Sequence, residues 1–83
     1  MYPLNKEERM QERIAIDAQI QHGKPVIKGT RVPIVRLLGG LAGGMSVEAV
    51  CHEYGVTPED VHAALEYATE IIGLEEVHSL PSS

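Results

Sequence analysis

Apolar positions change their period twice along this chain. From Ile14 to Ile34 they come in short extended runs: Ile14-Ala15-Ile16, Pro25-Val26-Ile27 and Arg31-Val32-Pro33-Ile34. These predict three tiny strands, with a tight turn at Lys28-Gly29 where glycine supplies a positive φ. Pro25 and Pro33 each remove a ladder donor, so the strands suit edges or a small ribbon rather than a wide sheet. From Val35 the spacing becomes helical. Val35, Leu37, Leu38, Leu41, Ala42 and Met45 predict a first helix that Gly39-Gly40 interrupts and Gly43-Gly44 ends. Each interior glycine costs about 1 kcal/mol against alanine unless another backbone packs on it.

Ser46 caps a second helix, Val47 to Tyr54, whose apolar side is Val47, Val50, Cys51 and Tyr54. Gly55 breaks it. Thr57-Pro58-Glu59-Asp60 is a helix start: a threonine cap, proline in the first position, and acidic groups at the positive end. A third helix is expected from Pro58 to Ile72, before Gly73, with Val61, Ala64, Leu65, Ala68, Ile71 and Ile72 as one apolar stripe. Upstream, Asn5 to Arg13 is polar with only Met10 apolar inside it, a marginal helix that is frayed or docked on a partner chain. Ala18 to Gln21 is expected as a turn or a single helical turn. The tail from Leu74 to Ser83 is expected to be loosely ordered.

The helix, glycine turn and longer helix around Tyr54-Gly55-Val56-Thr57 have the form of a helix-turn-helix, or of an ordinary helical hairpin. With the helix from Val35 they predict a mainly α, tri-helical core, homeodomain- or winged-helix-like, carrying a short N-terminal β ribbon. One domain accounts for residues 1–83: a core over 14–72, an extension over 1–13 and the tail over 74–83.

Composition sharpens this. With 83 residues, no Trp, no Phe and one Cys, neither a large aromatic core nor an internal disulfide is available. Oligomerisation is the expected substitute. The reading is a homodimer in which the ribbon is shared through Ile14, Ile16, Pro25, Val26, Ile27, Val32, Pro33 and Ile34, which also covers the strand edges. No apolar run is long enough to span a bilayer, and residues 1–6 lack a signal-peptide core, so the expected location is the cytoplasm.

The net charge of −5 conceals a division. Residues 1–36 hold all seven basic groups and four acidic ones, +3; residues 37–83 hold eight acidic groups and no basic one, −8. The third helix therefore makes a poor reader of a DNA groove: it offers Glu59, Asp60, Glu66 and Glu70 where Arg, Lys, Asn or Gln would be needed. Any double-stranded DNA would be held by Lys24, Lys28, Arg31 and Arg36, with Arg9 and Arg13 as further candidates. The bland reading of these cations is solvated strand-end charge.

His22, His52, His62 and His78 share no metal-ligand spacing, and no nucleophile, base and orienting group suggest themselves. Neither metal, cofactor nor enzymatic activity is expected. The four glycines of the first helix lack the Lys-Ser/Thr ending of a phosphate-cradling loop.

The block Gly23-Lys24-Pro25-Val26-Ile27-Lys28-Gly29-Thr30-Arg31-Val32-Pro33 resembles the signature of the bacterial domain of unknown function 433, as do Gly44-Met45-Ser46, Tyr54-Gly55-Val56-Thr57 and the helix from Asp60 to Tyr67. The resemblance spans Ile14 to about Ile72. It implies a helix-turn-helix-like, usually dimeric fold and an antitoxin-type partner of a PIN-like nuclease toxin, able also to bind its operator. The alternative is a dimeric protein-interaction module that does not touch DNA. Gly39-Gly40 departs from the family's commoner pattern.

Overall fold

The computed structural model describes residues 12–79, with side chains as far as residue 73. Two strands and three helices follow one another: β1 (Ile14–Ala15), β2 (Val26–Ile27), α1 (Ile34–Ala42), α2 (Val47–Tyr54) and α3 (Pro58–Ser79). The three helices pack on one another in pairs to form the tri-helical core. Of the helix expected over residues 5–13, only Glu12 and Arg13 lie among the described residues, and both are helical.

β2 is the centre of the ribbon. On one side it pairs antiparallel with β1, Ile14 opposite Ile27 and Ala15 opposite Val26, extended by the Lys28 amide donating to the Arg13 carbonyl at 2.7 Å. On the other side the chain folds straight back. Thr30 N–H donates to Ile27 C=O at 3.0 Å, closing a β-turn with Gly29 at φ +83°. The Thr30 hydroxyl locks that turn, donating to Ile27 C=O at 2.7 Å and accepting from the Val32 amide at 2.9 Å.

The strand expected over 31–34 is reduced to a single bridge, Val26 opposite Pro33. Its flanking bonds are Ile27 N–H to Val32 C=O, 3.0 Å, and Ile34 N–H to Pro25 C=O, 2.9 Å. Pro33 thus occupies a non-hydrogen-bonded position of the ladder, where a missing donor costs nothing. One residue later the helix begins, with Pro33 at φ −66° as its cap residue.

Between β1 and β2 the backbone makes a compact reversal. Asp17 accepts the Gln19 amide through its carboxylate at 2.8 Å, and its carbonyl takes the Ile20 amide at 2.9 Å. Gln21, His22 and Gly23 then all have positive φ, +50°, +58° and +83°. Only the glycine adopts this without strain; each of the other two stores about 1 kcal/mol or more.

α1 ends in a Schellman arrangement: Met45 N–H reaches Gly40 C=O and Gly44 N–H reaches Leu41 C=O, both 3.0 Å, with Gly44 at φ +103°. Ser46 caps α2, accepting the Ala49 amide at 3.0 Å. Gly55, at φ +67°, closes it. The core is aliphatic: Ile14, Val26, Ile27, Ile34, Leu37, Val50, Val56, Val61, Ala63 and Ala64 are buried.

Three expectations are corrected. α1 starts at Ile34, and it is Ile34 that turns inward, tied to Pro25, while Val35 is 59% exposed. α3 runs through Gly73 to Ser79 rather than ending at Ile72; one glycine's cost of about 1 kcal/mol is carried by the helix-forming residues around it. The apolar stripe of α3 is buried only at its start, through Val61 and Ala64 with Ala63 beside them. Leu65, Ile71 and Ile72 are exposed at 41%, 44% and 58%.

Candidate interaction surface

Two surfaces of opposite character stand out, and Asp60 links the parts that carry them. Asp60 lies in the first turn of α3. One carboxylate oxygen accepts the Thr57 amide at 3.0 Å while the Thr57 hydroxyl accepts the Asp60 amide at 3.2 Å. This is a reciprocal capping box built with aspartate. The other oxygen takes Arg13 Nη1 at 3.1 Å. Arg13 and Asp60 are 47 residues apart in sequence, so this pair pins the chain just before β1 to the start of α3. With the arginine side chain 41% exposed, the pair itself contributes no more than about 1 kcal/mol. Neither charge pattern nor spacing links these two residues in the sequence. Arg13, a further DNA-contact candidate on charge alone, also serves as an internal tether.

The first surface is the hairpin and its outlet into α1. Lys24, Lys28, Arg31 and Arg36 are all exposed. The hairpin bonds bring the Lys24-Pro25 end against the start of α1, close in sequence to Arg36, while Lys28 and Arg31 flank the Gly29 turn. The residues expected at a ribbon shared with a second chain have these places within one chain. Ile14, Val26, Ile27, Pro33 and Ile34 are buried within this chain, and the strand pairing is made within it. Pro25 and Val32 are half-buried; Ile16 is exposed.

The second surface is α3. Its sequence carries Glu59, Asp60, Glu66, Glu70, Glu75 and Glu76 and no Lys or Arg. An open groove of about 350 Å³ runs between α1 and α3, with Pro25, Ile34, Val35 and Leu38 on one side, Tyr67 and Ala68 on the other, and Lys24 as its charged member.

α2, the turn Gly55-Val56-Thr57 and α3 complete the helix-turn-helix-like unit. Val56 is its buried linchpin, its amide donating to Cys51 C=O at 3.1 Å. Gly40 is what lets α1 lie close to α2. A Cβ there would come within 3.1 Å of Met45 Sδ and 3.2 Å of Val50 Cγ2, whereas one on Gly39 would meet nothing. Close packing at Gly40 is therefore against side chains rather than the backbone expected. Among the described residues no three His, Cys, Asp or Glu side chains gather as a metal site. No helix there is long and apolar enough to cross a membrane.

This arrangement of ribbon and three helices is shared by known proteins. Residues 14–68 match the family described as "Protein of unknown function (DUF433)". The chain belongs to that family. The crystal structure of a DUF433 member from Anabaena variabilis superposes with a TM-score of 0.66 at 29% identity, over 83% of this chain and 72% of that one. The X-ray structure of Rv2018 from Mycobacterium tuberculosis gives 0.59 at 36% identity, over 63% of this chain and 24% of that one. A protein of M. tuberculosis strain H37Rv named "Putative antitoxin VapB45" is 36% identical over 53 residues. Those residues are 64% of this chain and 22% of that protein, so the chain spans less than a quarter of that relative's length. The family match begins at the first residue of β1 and ends within α3, so the tethering Arg13 lies just outside it.

Proposed function

We propose that this chain is a non-enzymatic, antitoxin-type protein that docks on a nuclease toxin of the PIN-like class and neutralises it, with operator DNA as a second ligand. The observation that carries the reading is the 36% identity, over 53 residues, to the mycobacterial protein with an antitoxin name. The surfaces are compatible with it. An exposed basic hairpin beside an apolar groove offers charge and apolar area together, as a protein-binding face requires.

The DNA arm of the proposal rests on the hairpin, since phosphates are repelled by the carboxylates of α3. That acidic helix is also what favours the second reading, an interaction module without DNA binding. The test of the first arm is co-purification with the product of the adjacent gene, then a nuclease assay with and without this chain. Inhibition supports the antitoxin role; an unaffected nuclease or no complex removes it. For the second arm, duplex binding to the promoter region should weaken steeply with salt and be lost in the Lys28→Ala, Arg31→Ala double variant. No binding of the promoter at low salt leaves the interaction module.

A further inference from the structure

The groove between α1 and α3 continues onto a face of α1 that its own fold leaves open. Val35, 59% exposed, lines the groove beside half-buried Leu38. Gly39 and Ala42, four and seven residues on from Val35, are exposed on the same face. A glycine inside a helix costs about 1 kcal/mol against alanine. Gly40 has a reason within the chain, the approach of Met45 and Val50, but a Cβ on Gly39 would meet nothing. Open space at that position is what a second helix crossing α1 at close range requires.

The two walls of the groove differ in charge. Lys24 lies in the groove and Arg36 on the α1 flank beyond Gly39, and no carboxylate occurs between Asp17 and Glu48. α3 has the opposite sign. Glu59, Glu66 and Glu70 share the flank beyond Tyr67, Glu75 falls in line with Ile71, and Glu76 in line with Ile72. Asp60 is held by Arg13 and by the helix cap.

We propose that this groove seats one amphipathic helix of the protein partner. Its apolar face lies between Val35 and Tyr67, its acidic flank meets Lys24 and Arg36, and its basic flank meets α3. No described helix of this chain has that pattern. α1 holds one cation and no acid, while α2 and α3 hold acids and no Lys or Arg. Residues 5–13 carry both signs but have only Met10 for an apolar face. The occupant is therefore a different protein rather than a second copy. The inference rests on the antitoxin-type reading for the existence of that partner, and adds the seat and the chemistry of the docked segment.

Calorimetric titration of the full chain with the purified product of the adjacent gene is the test. Val35→Glu should raise the dissociation constant at least about 30-fold. Gly39→Gln should raise it at least about 10-fold. The same variant should leave the chain as stable as before or more so, since it enters open space and removes a helix glycine. Lys24→Glu should weaken binding about 10-fold at about 50 mM salt and far less at about 0.5 M. Glu53→Gln, exposed on α2, should stay within about 2-fold of the unaltered chain. Full affinity in both Val35→Glu and Gly39→Gln overturns the proposal and leaves the antitoxin reading standing; no complex with the unaltered chain removes both. Unchanged affinity of Lys24→Glu at low salt overturns it as well. If the α1 variants instead shift the chain's own sedimentation, a second copy fills the groove; if they lower its stability in urea, its own chain does. Either result overturns the proposal.

Discussion

The hairpin of residues 25–34 and the distal half of α3 reverse what their sequences promise. The hairpin is short, proline-bracketed and highly charged, and no fragment of its size is stable alone. Yet its backbone is closed on both sides, and its apolar residues Val26, Ile27, Pro33 and Ile34 are buried. α3 is a 22-residue helix with a continuous apolar stripe, and past Ala64 that stripe opens to solvent. Regularity of an element and satisfaction of its surface are separate matters. The hairpin forms because tertiary packing covers it; α3 forms from its own backbone bonds and is left with surface to spare.

Four measurements test this contrast. The largest effect is expected at the hairpin: Ile27→Ala, which empties a site 2% exposed, should destabilise the chain by about 3 kcal/mol in urea unfolding. If that loss is below about 1 kcal/mol, the hairpin is not part of the core. Next comes the point where the two regions are joined. Asp60→Ala removes both the α3 cap and the Arg13 tether and should cost about 1.5 kcal/mol, with Arg13→Ala costing under half of that. Equal losses from the two would place the main role in the tether rather than the cap.

The glycine pair of α1 gives opposite signs. Gly40→Ala forces a methyl against Met45 and Val50 and should lower stability by about 1 kcal/mol after the helix-propensity gain is counted. Gly39→Ala, in open space, should raise it by about 1 kcal/mol. Matching signs would mean that α2 does not pack on Gly40 as described. Smallest is Ile72→Ser, at a position 58% exposed, which should change stability by less than about 0.5 kcal/mol. A loss comparable with Ile27→Ala would show that the distal helix is covered by its own chain.

Capping chemistry made the helix starts legible. Ser46, Thr57-Pro58 and Gly55 act within four residues of themselves, and the structure uses each as read. The Gly29 turn belongs with them, since a positive φ there is a local requirement. α3 passes through Gly73 because a single glycine costs a helix only about 1 kcal/mol, too little to act as a stop. The candidate surface was legible in its charges and not in its shape. The four cations are exposed, and most of the ribbon's apolar residues lie in the core of this chain.

Sequence alone therefore determined where elements begin, which turn needs glycine, and how charge divides between the halves, because each is set by neighbours along the chain. Tertiary structure decided that Ile34 and not Val35 turns inward, that Gly40 and not Gly39 is needed, and that Arg13 finds Asp60 across 47 residues. It also decided that α3 outreaches the core it helps to build. Burial is a property of what lies opposite a residue, and no pattern within one element carries that information.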